Sequence, residues 1–175
     1  RMDQGLGGLG TLSSITGYRK SDWQSGLDGD GSPVNMSTYS FDQRQKQFSQ
    51  ELEIVSNGEG PFQWVIGGFY SKVDRVYTQT LPTPGYDAVT DAVLGAGTSA
   101  AVANGFAANS PYNALLPYDI KQFALFGEVS FDLSDAFTAT AGGRYYDFKE
   151  TRSFKSGGLF ANGDNRTDST KSSGF

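Results

Sequence analysis

Apolar and polar residues alternate along much of this chain, most clearly from Gln122 to Glu150. Phe123, Leu125, Val129, Phe131 and Leu133 fall on one side of a first run, opposite Gln122, Glu128, Ser130 and Asp132, with Phe126 as the misfit. In a second run Phe137, Ala139, Ala141, Gly143 and Tyr145 oppose Thr138, Thr140, Gly142, Arg144 and Tyr146. A side-chain period of two means extended strands, and Leu133-Ser134-Asp135-Ala136 is short enough to join them as an antiparallel hairpin. Three further segments read as strands. Thr11 to Trp23 is rich in Thr, Ser, Ile and Tyr; Lys46 to Ser56 sets Phe48, Leu52 and Ile54 against Gln47, Ser49, Glu51 and Glu53. Phe62 to Thr80 places Trp64, Ile66 and Tyr70 on one face and Val65, Phe69 and Val73 on the other. About five strands are therefore expected.

The two faces differ from those of an ordinary half-buried strand. The apolar face of the second run carries aromatics at both ends, and its opposite face is mostly Thr and Gly. Phe137 to Tyr145, tilted by roughly 40°, would rise about 20 Å, near the height of the lipid-facing band of an outer-membrane barrel. Terminal aromatics would then mark the two membrane interfaces. The alternative is a soluble β-sandwich with one wet face.

Connection lengths favour the barrel. Asn57-Gly58-Glu59-Gly60-Pro61 and Leu133–Ala136 are short turns. The links Gln24–Gln45, Leu81–Ile120 and the stretch beyond Phe154 read as long. Long structureless loops are uncommon in compact soluble domains, whereas outer-membrane barrels pair short periplasmic turns with long extracellular loops. Within Leu81–Ile120, Asp87 could cap a short helix ending at Gly95 and Ser99 a second ending near Gly105. A flexible small-residue loop is the other reading.

Composition removes several functions. The 175 residues contain neither Cys nor His, which excludes disulfides, Ser-His-Asp and Cys-His sites and the commonest metal ligands. A formal charge of −5 argues against nucleic acid as a partner. No apolar stretch is long enough for a transmembrane helix, which leaves closed barrels open.

Individual motifs add little chemistry. Gly5-Leu6-Gly7-Gly8-Leu9-Gly10 matches the form of a dinucleotide fingerprint, but no strand is read before it and a strand is read after it, so a Gly-rich turn is expected. Asp28-Gly29-Asp30-Gly31-Ser32 lacks the downstream Glu of a calcium loop and reads as a polar loop tip, as do Asp164 and Asp168. Asn35-Met36-Ser37 and Asn165-Arg166-Thr167 match a sequon that is frequent by chance. Glu51 and Glu53 could be imagined as a glycosidase pair, but they fit an inward polar row beside a wet lumen, as does Arg144. No catalytic, cofactor-binding or metal residue is assigned, no enzyme and no cofactor are expected, and no ligand-binding residue is read.

Phe48 to Arg75, FSQELEIVSNGEGPFQWVIGGFYSKVDR, and Lys121 to Glu150, KQFALFGEVSFDLSDAFTATAGGRYYDFKE, resemble barrel hairpins of TonB-dependent outer-membrane receptors. The likeness rests on Phe123–Gly127, the Asp132–Asp135 turn and Thr140–Tyr145 in combination, with Thr11–Arg19 similar to an earlier strand. It implies an all-β, antiparallel transmembrane barrel, of about 22 strands around an N-terminal plug. It implies energised uptake of a scarce ligand (a ferric siderophore, a cobalamin or an oligosaccharide) across a Gram-negative outer membrane. The implied partners are outer-membrane lipid, the ligand at the extracellular loops, and TonB through an upstream region. Residues 1–175 would be one part of such a barrel, without the plug and the remaining strands. A porin-like barrel without a plug, or a soluble sandwich binding module, would be the alternatives.

Overall fold

The computed structural model describes residues 1–31 and 37–175. Seven antiparallel strands lie in one sheet in sequence order: β1 (Met2–Gly5), β2 (Thr11–Asp28), β3 (Thr38–Val55), β4 (Phe62–Thr80), β5 (Asn113–Ser134), β6 (Phe137–Gly157) and β7 (Asn165–Gly174). Two short helices, α1 (Tyr86–Leu94) and α2 (Thr98–Val102), lie between β4 and β5. A sandwich would need a second sheet against the apolar face, and the described residues supply none.

The five expected strands are all present, four of them longer than expected and Phe62–Thr80 with the expected bounds, and two more accompany them. Most of the Gln24–Gln45 link is strand: β2 runs on to Asp28 and β3 begins at Thr38. Beyond Phe154, β6 continues to Gly157 and returns through a short turn as β7. Gln24–Asp28 and β7 carry polar residues on both faces, and Thr38–Gln45 alternates only over Tyr39 and Phe41, so the pattern is too short to mark these stretches. β1 precedes the Gly-rich segment, contrary to expectation; Gly7–Leu9 forms one 3-10 turn and β2 follows directly. The segment is thus a hairpin turn, and no helix N-terminus is offered to a phosphate.

The register fixes the two faces. Leu12↔Ile54↔Ile66, Ser14↔Leu52↔Gly68↔Leu125↔Tyr145 and Thr16↔Gln50↔Tyr70↔Phe123 share one face, with Trp64, Val129 and Ala141 below them. Ser13↔Glu53↔Gly67↔Phe126↔Arg144 and Gly17↔Ser49↔Ser71↔Gln122↔Phe148 share the other. Exposure follows the same period. On the apolar face Ile66, Leu125 and Phe137 are 57%, 52% and 72% exposed, while Ser13, Ser71 and Ala124 opposite are nearly covered. Side chains converge on the concave side of a curved sheet and splay apart on its convex side. The polar face is therefore the inner one, and the apolar face looks outward.

Only Leu81, Ala114 and Ala124 are buried among the described apolar residues, so there is no conventional core. The apolar surface forms a belt instead. Phe62, Phe131 and Phe137 border it near the turns, and Tyr18, Phe48, Tyr70, Phe123 and Tyr145 border it on the far side. Phe123 and Phe131 lie about 27 Å apart along β5, or roughly 20 Å along the membrane normal at the tilt of such barrels. The belt thus comes near the apolar band of about 25 Å that outer-membrane barrels carry, edged likewise by aromatic residues. Gly127 and Gly143 pair directly within it and leave a hollow of about 680 Å³ between Trp64, Ile66 and Val129.

The misfit Phe126 has a physical reason. It points inward, and its ring fills the space beside Gly67, where a Cβ would collide with the ring and press on the Leu52 carbonyl. We expect Gly67→Ala to destabilise the barrel by about 1–3 kcal/mol, as forced overpacking does. Adding Phe126→Ala should recover part of that loss, because the Leu52 contact remains. Denaturant unfolding of the single and double variants in detergent measures both effects.

Candidate functional site

At the end of the sheet away from the tight turns, the strands extend well beyond the apolar belt. β5 has 22 residues, whereas crossing the hydrocarbon takes about 9–11. The surplus builds a mouth. Its inner wall is aromatic and cationic: Gln43↔Tyr77↔Leu116 forms one inward row and Gln45↔Arg75↔Tyr118↔Arg152↔Asp168 the row beneath it.

Tyr39 and Phe41 share the inner face of β3 because they are two residues apart. Their rings stack with centroids 6.4 Å apart, and Phe41 stacks at the same distance on Tyr77 of β4. Burial pushes the Tyr77 phenol above its ordinary value. Arg75 lies with its guanidinium carbon 4.3 Å from the Tyr118 ring centroid, close enough for a cation–π contact. Its Nε is buried without a hydrogen-bond partner, and no carboxylate among the described residues lies within ion-pair distance. Further round the wall Arg166 lies 5.6 Å over Phe154, and Asp168 pairs with Arg152 and Arg166 at 3.9 and 3.7 Å. This surface can stack a planar group and offer an unspent cation to an anion.

The β4–β5 connection closes over this end as a docked structure, not as a slack loop. Thr38 N–H donates to the Pro82 carbonyl, tying it to β3. Gly158 N–H donates to Val102 O and Phe160 N–H to Pro111 O, while the Asn104 amide donates to the Ser156 and Asp164 carbonyls. Gly157 and Gly158 permit this approach, since a Cβ at either would collide with the Ala103 or Pro111 carbonyl. Both expected helices form, but the expected caps do not. Gly85 and Gly97, at φ 82° and 85°, precede α1 and α2; Asp87 falls in the first turn of α1 and Ser99 inside α2. The cap on α2 comes instead from Asp91 of α1, whose Oδ1 accepts from the Ser99 N–H at 2.8 Å. That bond was hidden from sequence because it joins two helices.

The remaining sequence candidates are dispersed. Glu51 and Glu53 lie on the inner face of β3, within the apolar belt's height, beside Phe69 and Gly67 of β4. Arg144 also points inward, 6.0 Å over the Phe126 ring. The Asp28 carboxylate accepts from the N–H groups of Asp30 and Gly31, and Asp30 accepts from the Ser37 N–H. Ser32, and Asn35 and Met36 of the first sequon, lie outside the described residues; Asn165-Arg166-Thr167 opens β7. Asp164 is hydrogen-bonded to Ser156 across its turn. No group of acidic residues able to hold a metal ion occurs among the described residues.

Lying outside the apolar belt, Asp91 titrates in water. Hydrogen bonding to the Ser99 N–H, above all, holds its carboxyl below the ordinary value. A depressed carboxylate stabilises the fold fully above its unfolded pKa of about 4, and that contribution is lost as pH falls through the depressed folded value. Amide exchange at Ser99 should accordingly accelerate in acid relative to neutral pH, after correction for intrinsic rates. Asp91→Asn, which still accepts but carries no charge, should flatten that pH dependence.

No family model matches the chain, and no curated protein matches it. Among solved structures it is similar to the ferric yersiniabactin uptake receptor FyuA from Yersinia pestis, with a TM-score of 0.66 and 14% identity. The likeness covers 94% of this chain and 21% of that one, so the chain spans about a fifth of the receptor's length. At that identity the likeness shows the fold: a sector of an outer-membrane-receptor-like β-barrel.

Proposed function

We propose that residues 1–175 form a wall sector of a TonB-dependent outer-membrane receptor that takes up a scarce, planar, acceptor-rich ligand of the ferric-siderophore class. The observation that carries the proposal is the division of one sheet into an uncovered apolar belt outside and a polar bore inside, capped by an aromatic and cationic mouth. The fold shared with a siderophore uptake receptor supports it.

On this reading the mouth faces outward from the cell and the turns at 56–61 and 135–136 face the periplasm. Arg75 has the unspent donors, and the stacked Tyr39, Phe41 and Tyr77 supply flat apolar area. Capture at the mouth would come first. Release inward would follow when TonB acts on a plug belonging to the rest of the protein. The inner carboxylates Glu51, Glu53 and Glu128 line the bore as solvated charges and have no catalytic task.

Topology is tested by cysteines at Ala100 and Gly58. Ala100 is exposed in α2, whereas Gly97 just before the helix has a φ of 85°, which strains any side chain. A membrane-impermeant maleimide on intact cells should label Ala100→Cys and leave Gly58→Cys unlabelled; the reverse pattern would refute the orientation. Arg75→Gln should weaken binding of the transported ligand roughly tenfold or more, as loss of a charge-assisted contact does, while leaving the amount of barrel in the membrane unchanged. Ligand titration of the purified full-length receptor reads that effect.

A further inference from the structure

Three Asn-Gly steps occur in the chain, at Asn57-Gly58, Asn104-Gly105 and Asn162-Gly163. Asparagine before glycine cyclises readily, because glycine neither shields its own nitrogen nor resists the turn required. The amides of these asparagines do different things. Asn57 donates once, to the Gly7 carbonyl at 3.1 Å. Asn104 donates to the Ser156 carbonyl at 2.8 Å and to the Asp164 carbonyl at 3.2 Å, and so ties the β4–β5 connection to the turn between β6 and β7. Asn162 borders the same seam from the other side: with Asn104, Gly158 and Gly163 it lines a hollow of about 290 Å³.

Asn104 is placed for chemistry as well as for holding. It lies at φ 51° and Gly105 at φ 75°, two consecutive left-handed residues of types that adopt this conformation at least cost. Among the described residues the Gly105 N–H donates to no backbone carbonyl, so no such bond restrains this nitrogen. The Asn104 side-chain nitrogen, by contrast, is held by two carbonyls.

We propose that Asn104-Gly105 is a self-modifying latch, a deamidation site whose reaction releases the β4–β5 connection from the β6–β7 turn. The Gly105 nitrogen gives its proton to hydroxide and attacks Cγ of Asn104. The new N–C bond closes a succinimide as the Cγ–Nδ2 bond breaks, and Nδ2 leaves as ammonia with a proton from water. A second water, reaching the ring from the adjoining hollow, opens it at either carbonyl to give aspartate or isoaspartate. No oxidation state changes.

Either product reverses the contact. A carboxylate has no hydrogen to donate, and it would face the Ser156 and Asp164 carbonyl oxygens beside the Asp164 carboxylate, to which Ser156 Oγ donates at 3.0 Å. Isoaspartate also adds a backbone methylene between Ala103 and Phe106, where even a Cβ at Gly157 would collide with the Ala103 carbonyl and the Phe106 ring. While the seam is docked the amide nitrogen is held and the reaction waits. Each opening frees it, and a converted latch cannot re-form.

The test incubates the complete protein in neutral detergent and heavy-oxygen water, at neutral and mildly alkaline pH, and reads each Asn-Gly step by peptide mass spectrometry. Conversion at Asn104 should speed up with pH and carry the heavy isotope. It should run roughly tenfold or more slower in the folded protein than in the same protein unfolded in denaturant, since only the open seam reacts. In the converted fraction, and in Asn104→Asp, amide exchange at Gly158, whose N–H donates to the Val102 carbonyl, should accelerate roughly tenfold. Asn162→Asp adds the same charge to the seam without removing the two Asn104 bonds and should leave that exchange unchanged. Equal rates at Asn104 in folded and unfolded protein, or no conversion there in the folded protein at either pH, would overturn the latch. So would unchanged Gly158 exchange in Asn104→Asp, or equal acceleration in Asn162→Asp. Should Asn104→Asp fail to assemble, wild-type protein aged after folding supplies the same exchange measurement.

Discussion

Backbone hydrogen bonding without water is the constraint from which this architecture follows. Away from water an unpaired N–H or C=O costs several kcal/mol, so strands that carry an uncovered apolar face must lie beside one another over the whole width of that face. The ladders β2–β3, β3–β4, β4–β5 and β5–β6 are continuous through the apolar belt. β5–β6 pairing is interrupted at Leu116 and Pro117, where proline has no donor and the mouth lets water serve, and its register shifts between Asp132 and Ser134, beside the tight turn. β1 and β7 do not pair with each other, so the sheet is a sector whose edges need further strands.

Once the ladders are fixed, side chains have only two places to go, and the sequence sorts them. Outside, the usual penalty against exposed apolar surface is reversed, and Leu52, Ile66 and Leu125 stand open without a partner. Inside, Ser, Gln, Glu and Gly keep the bore wet, and Phe126 is tolerated because Gly67 makes room for it. Beyond the belt the outer face carries lysines while the inner face carries rings and guanidinium groups. One strand thus carries an apolar stretch, a basic stretch and an aromatic wall within its own length.

This division explains how much was legible beforehand. Where lipid lies on one side and water on the other, period two is plain, and Phe62–Thr80 and the Phe137 strand were placed to the residue at their starts. In Gln24–Asp28 and β7 both faces are mostly polar, and in Thr38–Gln45 only Tyr39 and Phe41 mark a face, so these strands looked like loops. β1 was missed because four residues carry too short a pattern. The row of four lysines on the outer face and the Arg75–Tyr118 wall were invisible because each is assembled across strands. Only the register brings Lys72, Lys121, Lys149 and Lys171 together from positions far apart in the chain.

The attachment of the β4–β5 connection to both of its neighbours has a mechanical corollary. Bonded to β3 through Pro82 and to the β6–β7 turn through Val102, Pro111 and Asn104, it cannot swing as an independent flap. Force applied to α1 spreads sideways into two hairpins, so the rim behaves as a stiff collar that shifts as a unit.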